Sequence, residues 1–481
     1  GRYDAALEEA RALKRVETEA INEDAQLLLA LESVKQQAFE DVPEVLKDIG
    51  DQGIVALAAP FVLAWSSISA KGDTGADEAI ALLHGGESLG PLNDYHEALL
   101  LGFSGRVDEA LNKLTDIVPE TGAAPTRVAR AYAEFLLRLD KGDEAVAFLE
   151  EQLLLSERPV LRQALGDLRA GGTPGLPFTD GAGGMADALL GIAEALQQER
   201  GSARAVLYAR LALYLRPDLA EGKLLIGDIL SGQDNFDAAI EAYEAIDAAS
   251  PISTAAKIRK AQALHEQERE DAAFRLLEEI ASTEPKSTNA LIQLGNLLRR
   301  DELYERAAQA YSRAIERLET PEQEHWTLYY SRGIAFERTK RWPEAEADFL
   351  FALELQPEQP FVLNYLGYSW VDQGLNLDQA QDMLHRAVEA RPDDGFIVDS
   401  LGWVYYRLKN YDQAVEQLER AVELQPGDPV INDHLGDAYW RVGREREAHF
   451  QWRRSLTLEP EDDVVAKIRE KLRVGLQDDR S

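Results

Sequence analysis

Seven histidines, 86 acidic residues and no cysteine bound the chemistry open to this chain of 481 residues. Without cysteine there is no disulfide, no thiolate nucleophile and no thiolate metal site. The histidines do not fall in metal-ligand spacing. His434 and His449 belong to two different helical segments, with no zinc pattern of carboxylates around them. Ser400 is followed by Leu401 and Gly402 and lacks the tight strand-to-helix turn that exposes a catalytic serine. Carboxylates recur at helical spacing everywhere, as they do on solvated helix faces. The expectation is therefore a protein with no catalytic residue, no cofactor and no metal ligand. One set of residues does suit non-covalent recognition: Tyr330, Asn364, Tyr365, Tyr368, Asp399, Trp403, Tyr406, Arg407, Asp433, Asp437, Trp440 and Arg441. Trp, Tyr and Arg dominate binding hot spots, and an Asn amide pairs with both a donor and an acceptor of a peptide backbone. This stripe is expected to hold a protein or peptide partner. The competing reading is that the aromatics fill wedges between helices, and Trp403 and Tyr405 cannot both face one groove.

The elements that would position this stripe repeat. In the stretch Asp399 to Pro429, Gly402, Ala414, Ala421 and Pro426 mark two short amphipathic helices and a stop. From Ala186 onward the same spacing recurs. Prolines close units at Pro217, Pro251, Pro285, Pro357, Pro392, Pro426 and Pro460, and the gap from Pro285 to Pro357 holds two units with an enlarged turn around Pro321. Small residues at Ala193, Gly227, Ala261, Gly295, Gly333, Gly367, Gly402 and Gly436 face partners at Ala205, Ala239, Ala273, Ala307, Ala345, Ala380, Ala414 and Ala448. Each pair is twelve apart except Gly367 and Ala380, which are thirteen apart, so one residue is inserted in that turn. Two helices cross closely only where neither carries a bulky side chain. Glycine inside a helix costs about 1 kcal/mol against alanine, so a recurring one needs a packing reason. Tyr243, Tyr311, Phe349, Leu418 and Trp452 are expected to fill the space beside these crossings. A helix–turn–helix period of 34 with Gly, Tyr, Ala, aromatic and Pro in that order is the pattern of the tetratricopeptide repeat. The expected fold is all-α: a right-handed superhelix, or α-solenoid, of helix–turn–helix repeats.

Four segments follow. Residues 1–165 read as irregular, degenerate repeats, with Ala98 and Ala110, then Ala133 and Ala145, again twelve apart. Trp65 and Phe61 in this part are expected to be core. Residues 166–185 hold the run RAGGTPGLPFTDGAGG, with six glycines, two prolines and no periodicity. It is expected to be a loop, either a hinge or a docking loop in which Leu176, Pro177 and Phe178 clip onto a neighbouring helix. No Lys-Ser/Thr follows it, so it is no phosphate cradle. Residues 186–460 are eight regular units. Residues 461–481 form a capping helix with Val464, Val465, Ile468 and Leu472 on one face.

The net charge of −35 excludes a broad nucleic-acid footprint and disfavours adsorption to anionic lipid. It suits solubility of a long exposed solenoid, and also an acidic groove selecting a basic partner. No uninterrupted apolar run approaches about 20 residues, the length of a membrane span. The opening GRYDAALEEARAL is not a signal peptide. With Gly1, Tyr3 and Ala6 in repeat positions, it reads as the second helix of a unit whose first helix lies upstream.

The runs LNYLGYSWVDQG, DSLGWVYYRLKNYDQA and DHLGDAYWRVGREREAHFQWRRSL resemble the C-terminal units of large bacterial tetratricopeptide proteins tied to the outer membrane. The group they resemble is the LbcA-like lipoprotein adaptors that deliver a carboxyl-terminal processing protease to cell-wall hydrolases, with the shorter NlpI adaptor a functional cousin. The resemblance is greatest over Phe361 to Pro460. It implies a non-enzymatic scaffold in the periplasm, attached to the outer membrane through an anchor upstream of Gly1, gathering a processing protease and its substrates. An assembly factor for envelope biogenesis, or the regulatory region of a larger enzyme, are the alternatives, as is a cytoplasmic placement. A homo-oligomer is compatible with the sequence. Related modules that clamp the acidic tail of cytosolic chaperones use lysines. Here the unit at Asn289 offers Ile292 and Asn296, and the next offers Tyr330 and Ile334, so that ligand class is not expected.

Overall fold

A computed structural model describes residues 3–15, 23–47, 49, 54–86, 89–156, 158–176, 178–198 and 202–476. Gly1 and Pro177, both given roles above, lie outside the described residues, as do residues 477–481 of the terminal segment. Among the described residues every regular element is helical, and most helices pair with the next as hairpins. The chain divides into two compact units, Gly1–Ile280 and Ala281–Ser481, and not at the glycine-rich stretch.

The second unit holds five hairpins and a closing helix. The hairpins are Asn289–Arg300 with Tyr304–Ile315, Trp326–Arg338 with Trp342–Leu355, Pro360–Gln373 with Leu377–Ala390, Gly395–Arg407 with Tyr411–Leu424, and Pro429–Arg441 with Glu445–Leu456. We refer to them by their crossing glycines: Gly295, Gly333, Gly367, Gly402 and Gly436. The last two hairpins open on capping aspartates. The Asp394 carboxylate accepts from the backbone N–H groups of Phe396 and Ile397, and that of Asp428 from those of Val430 and Ile431. The recurring glycine has a concrete cause. A Cβ on Gly436 would lie 2.5 Å from the Trp452 indole, and one on Gly402 would lie 2.6 Å from the Leu418 side chain. The large side chain expected beside each crossing thus sits directly over the glycine. Arg317 binds the carbonyls of Ala281, Glu284 and Ser287, at 2.8, 3.1 and 2.6 Å, and so fixes the entry to the first of these hairpins.

The first unit is not a simple one-dimensional stack. Its hairpins include Pro91–Phe103 with Val107–Ile117 and Thr126–Arg138 with Gly142–Leu155, and later Gly181–Gln198 with Ser202–Leu215. Helix Gly181–Gln198, placed by its spacing in the first regular repeat, packs against the distant helix Ile54–Lys71. The glycines make this approach possible: a Cβ on Gly184 would lie 2.5 Å from the indole of Trp65. Residues 181–184, expected to be loop, are the first turn of this helix. Phe178 is buried edge-on against Trp65 and stacked on Phe103. Glu134 accepts hydrogen bonds from Thr173 Oγ1 and from the Gly175 N–H, the latter at 3.1 Å. The glycine-rich stretch is therefore fastened down inside the first unit. Phe61 and Trp65 are core, at 1% and 0% exposure. They lie in an apolar stretch, Val55–Leu83, which by length and composition alone could cross a membrane, yet it is divided between helices Ile54–Lys71 and Ala76–Leu83.

Candidate functional site

Along the first helices of the Gly333, Gly367, Gly402 and Gly436 units runs a groove with a cavity of about 550 Å³. The register that builds it is simple. Three residues before, one after and five after each crossing glycine share a helix face, because steps of four keep to one side of a 3.6-residue helix. They are Asn364, Tyr368 and Asp372 in the Gly367 unit, and Asp399, Trp403 and Arg407 in the next. Asn364, Tyr365, Tyr368 and Asp399 from the expected stripe line the cavity together.

The floor carries two buried polar atoms without hydrogen-bond partners, Asn364 Oδ1 and Trp342 Nε1. One is an acceptor, the other a donor. Leaving such a group unpaired costs about 1–3 kcal/mol. Beside them Tyr365 donates its hydroxyl to Glu337 at 3.1 Å. Burial, reinforced by the Asp399 and Asp372 charges, pushes the Tyr368 hydroxyl up to about 12, so it stays a donor. The rim is apolar. Phe396 and Val430, 53% and 44% exposed, stand at the second position of their helices, and Phe361 occupies the same position in the preceding unit at 41%.

One wall is a stack. The His434 ring lies 4.0 Å from Trp403 at 17°, and Trp403 lies 4.7 Å from Tyr406 at 7°. His434 Nδ1 donates to Asp399 Oδ1 at 3.0 Å. Burial alone would push this imidazole down. The Asp399 carboxylate, with Asp433 and Asp437 behind it, outweighs burial and holds its pKa above the ordinary value. Trp403 and Tyr406 therefore serve first as the groove's internal wall. Arg441 Nε donates to the Tyr406 hydroxyl at 3.3 Å, and Arg407 reaches back to the Asp372 carbonyl at 3.4 Å. Tyr330 fills the wedge between units, edge-on to Tyr365 at 5.9 Å.

The C-terminal third of the expected stripe needs correction. Asp433 and Asp437 are taken up by the chain itself: Lys471, on the closing helix Asp462–Val474, donates to Asp433 Oδ2 at 2.7 Å and to Asp437 Oδ2 at 2.8 Å. Trp452 Nε1 donates to Asp437 Oδ1 at 2.9 Å. Burial dominates at Asp437 and pushes its carboxyl up to about 6 even with Lys471 beside it. Trp440 is covered by the backbone at Gly475, where a Cβ would lie 2.0 Å from its indole. These three residues close the end of the unit. The reason is chemical: carboxylates on an exposed face attract the next helix's lysine as readily as a ligand's.

Sequence reasoning weighed His434 only as a metal ligand and passed over Trp342 and Phe396. Phe361, Phe396 and Val430 each directly follow the first residue of a first helix, at intervals of 35 and 34, and that recurrence was the available signal. Among the described residues no group of three or more His, Asp or Glu is placed to hold a metal.

Family models recognise the repeat in part of the chain. Tetratricopeptide repeat models match residues 224–288 and 292–360, and a TPR repeat model matches residues 402–443. Over these residues the chain carries tetratricopeptide repeats. A curated relative, the TPR repeat-containing protein PA4667 of Pseudomonas aeruginosa, is 29% identical over 110 residues, which is 23% of this chain and 18% of that protein. Among solved structures, the APC/C hetero-tetramer Cut9–Hcn1 aligns over 99% of both chains with 15% identity and a TM-score of 0.43. Yeast Tom70 aligns over 88% of this chain and 95% of its own, with 14% identity and a TM-score of 0.39. Repeats of this kind make protein–protein interaction scaffolds.

Proposed function

We propose that the second unit binds an extended polypeptide segment of a partner protein in the groove between the Gly333 and Gly436 units, and that the chain works as a non-enzymatic scaffold. The unpartnered Asn364 carbonyl and Trp342 N–H carry this reading. A backbone N–H and C=O of a bound strand would satisfy both, while an apolar side chain rests on Phe396 and Val430. The resemblance of residues 361–460 to envelope adaptors supports a narrower form of the proposal, a periplasmic, outer-membrane-tethered adaptor for a processing protease and its substrates.

The test begins with peptides selected from a random library on the full chain. Binding is then measured to Asn364→Leu, Tyr368→Ala and Phe396→Ala. Each variant is expected to weaken binding about tenfold, the loss of one buried hydrogen bond or anchor. Peptides bound equally by all three would move the site out of the groove. For the narrower form, the wild-type chain should recover a protease from envelope extracts and the Asn364→Leu chain should not.

A further inference from the structure

A second cavity, about 590 Å³, lies inside the first unit among helices Thr126–Arg138, Pro159–Arg169, Gly181–Gln198 and Ala220–Ser231. Five carboxylates line it against three guanidinium groups. Two of the arginines are already engaged, Arg127 with Glu194 and Arg216 with Asp218, the latter at 2.7 Å. The remaining acids outnumber the remaining cation.

The decisive feature is Asp187. It is 6% exposed and lines the cavity, and its Oδ2 accepts no hydrogen bond within 3.5 Å, the buried Tyr95 hydroxyl standing just beyond close contact with the carboxylate. Its nearest cationic or imidazole nitrogens are Arg127 Nη1 at 3.8 Å and His96 Nε2 at 3.6 Å. Burial raises its pKa despite Arg127, and burial raises that of Glu194 in the same way. Across the cavity, Arg130 Nε is a buried donor without an acceptor, while its Nη2 leans on the Pro174 carbonyl at 3.4 Å. The cavity thus has one unmet acceptor, one unmet donor and a surplus of negative charge. Leu190, Leu219 and Leu224 give it apolar walls.

We infer that this cavity receives a basic residue of a bound polypeptide. The ligand's guanidinium or ammonium pairs with Asp187 and Glu221, its aliphatic stem lies along Leu190 and Leu224, and a backbone carbonyl accepts from Arg130 Nε. An anionic ligand would sit among surplus carboxylates. A free polyamine would satisfy Asp187 but brings no acceptor for Arg130. The site is separate from the groove of the second unit and does not depend on it.

The experiment is calorimetric titration of the full chain with the capped pentapeptide Gly-Gly-Arg-Gly-Gly, its lysine and citrulline analogues, and spermidine. The arginine peptide is expected to bind saturably, and the neutral citrulline peptide about tenfold or more weaker, the difference made by a charge-assisted hydrogen bond. Asp187→Asn and Glu221→Gln should each weaken the arginine peptide. Glu221 is exposed on the first turn of its helix, so Glu221→Gln reads the site even where Asp187→Asn perturbs folding. Arg130→Leu should weaken the peptide and leave spermidine unchanged. Equal binding of the arginine and citrulline peptides, or no saturable binding of either, would overturn the inference. Spermidine binding tighter than the arginine peptide, with Arg130→Leu silent toward both, would overturn the polypeptide assignment.

Discussion

Each unit contains a buried histidine between a tryptophan and an aspartate, and the two are wired in opposite senses. In the first unit Trp65 Nε1 donates to His96 Nδ1 at 3.1 Å, so the imidazole proton sits on Nε2, facing Asp187 at 3.6 Å. In the second, His434 Nδ1 donates straight to Asp399 at 3.0 Å, and the tryptophan, Trp403, stacks on the ring instead of bonding to its edge. Burial, then the Arg127 charge, drives His96 well below its ordinary pKa. The Asp399, Asp433 and Asp437 carboxylates overcome burial and raise His434. The same three residue types thus give an imidazole bonded to a tryptophan within the core of one unit and an imidazole bonded to a carboxylate beside a groove in the other. Burial and an arginine hold the first imidazole's pKa down; a carboxylate at hydrogen-bond distance holds the second's up.

The packed centre breaks most severely at the glycine that lets Trp65 be buried. Gly184→Leu is expected to destabilise the first unit by about 3 kcal/mol, the upper end for overpacking, since the indole and the helix backbone both resist displacement. Gly166, where a Cβ would meet nothing within 4 Å, is the control, and Gly166→Leu should leave the melt nearly unchanged. Calorimetric melting of the two variants decides it. Equal shifts would mean that the Gly184 contact is not close-packed.

The aspartates sharpen the contrast. Asp399→Ala leaves the buried His434 Nδ1–H without its acceptor and is expected to cost about 2–3 kcal/mol. Asp187→Asn removes a buried carboxylate that has an unmet oxygen, and is expected to change stability by less than about 1 kcal/mol. Denaturant melts would refute the distinction if the two changes cost the same.

The histidines should also respond to pH with opposite signs. The unfolded reference for both is 6.5. For His96 the folded pKa is lower, so the unfolded chain binds the extra proton first; its contribution is fully present above 6.5 and is lost as pH falls from there toward the folded value. For His434 the folded pKa is higher, so its contribution is fully present below 6.5 and is lost as pH rises through the folded value. Ring-proton NMR should show His434 titrating above 6.5 and His96 remaining neutral well below it. Two histidines titrating together would remove the distinction.

Much of this was legible in sequence and some was not, for physical reasons. The crossing glycines, their alanine partners and the large residues over them follow from local spacing, because a hairpin's packing is set within about one repeat. The anchoring of the glycine-rich stretch was not legible: Gly184 meets Trp65 across 119 positions, and six glycines look the same whether they serve a hinge or a close approach. In the groove, Asn364, Tyr368 and Asp399 were found from residue types suited to recognition, and the structure shows that they share one helix-face register. Asp433 and Asp437 share that register, but their occupation by Lys471 depends on how the last helix docks, which no periodicity records.

The smallest expected effect lies in the turns, where neighbouring repeats differ in one residue. Seven positions after the crossing glycine the backbone is left-handed in both the Gly402 and Gly436 units, at Lys409 with φ 65° and at Gly443 with φ 78°. A non-glycine residue there carries a strain of about 1–2 kcal/mol. Glycine relieves the strain but adds freedom to the unfolded chain, returning about half of the gain. Lys409→Gly should therefore stabilise the second unit by about 0.5–1 kcal/mol, and Gly443→Lys should destabilise it by a similar amount. Neither position touches the groove cavity, so peptide binding should be unchanged in both. A loss of stability on Lys409→Gly would show that the lysine side chain, and not the backbone, decides this turn.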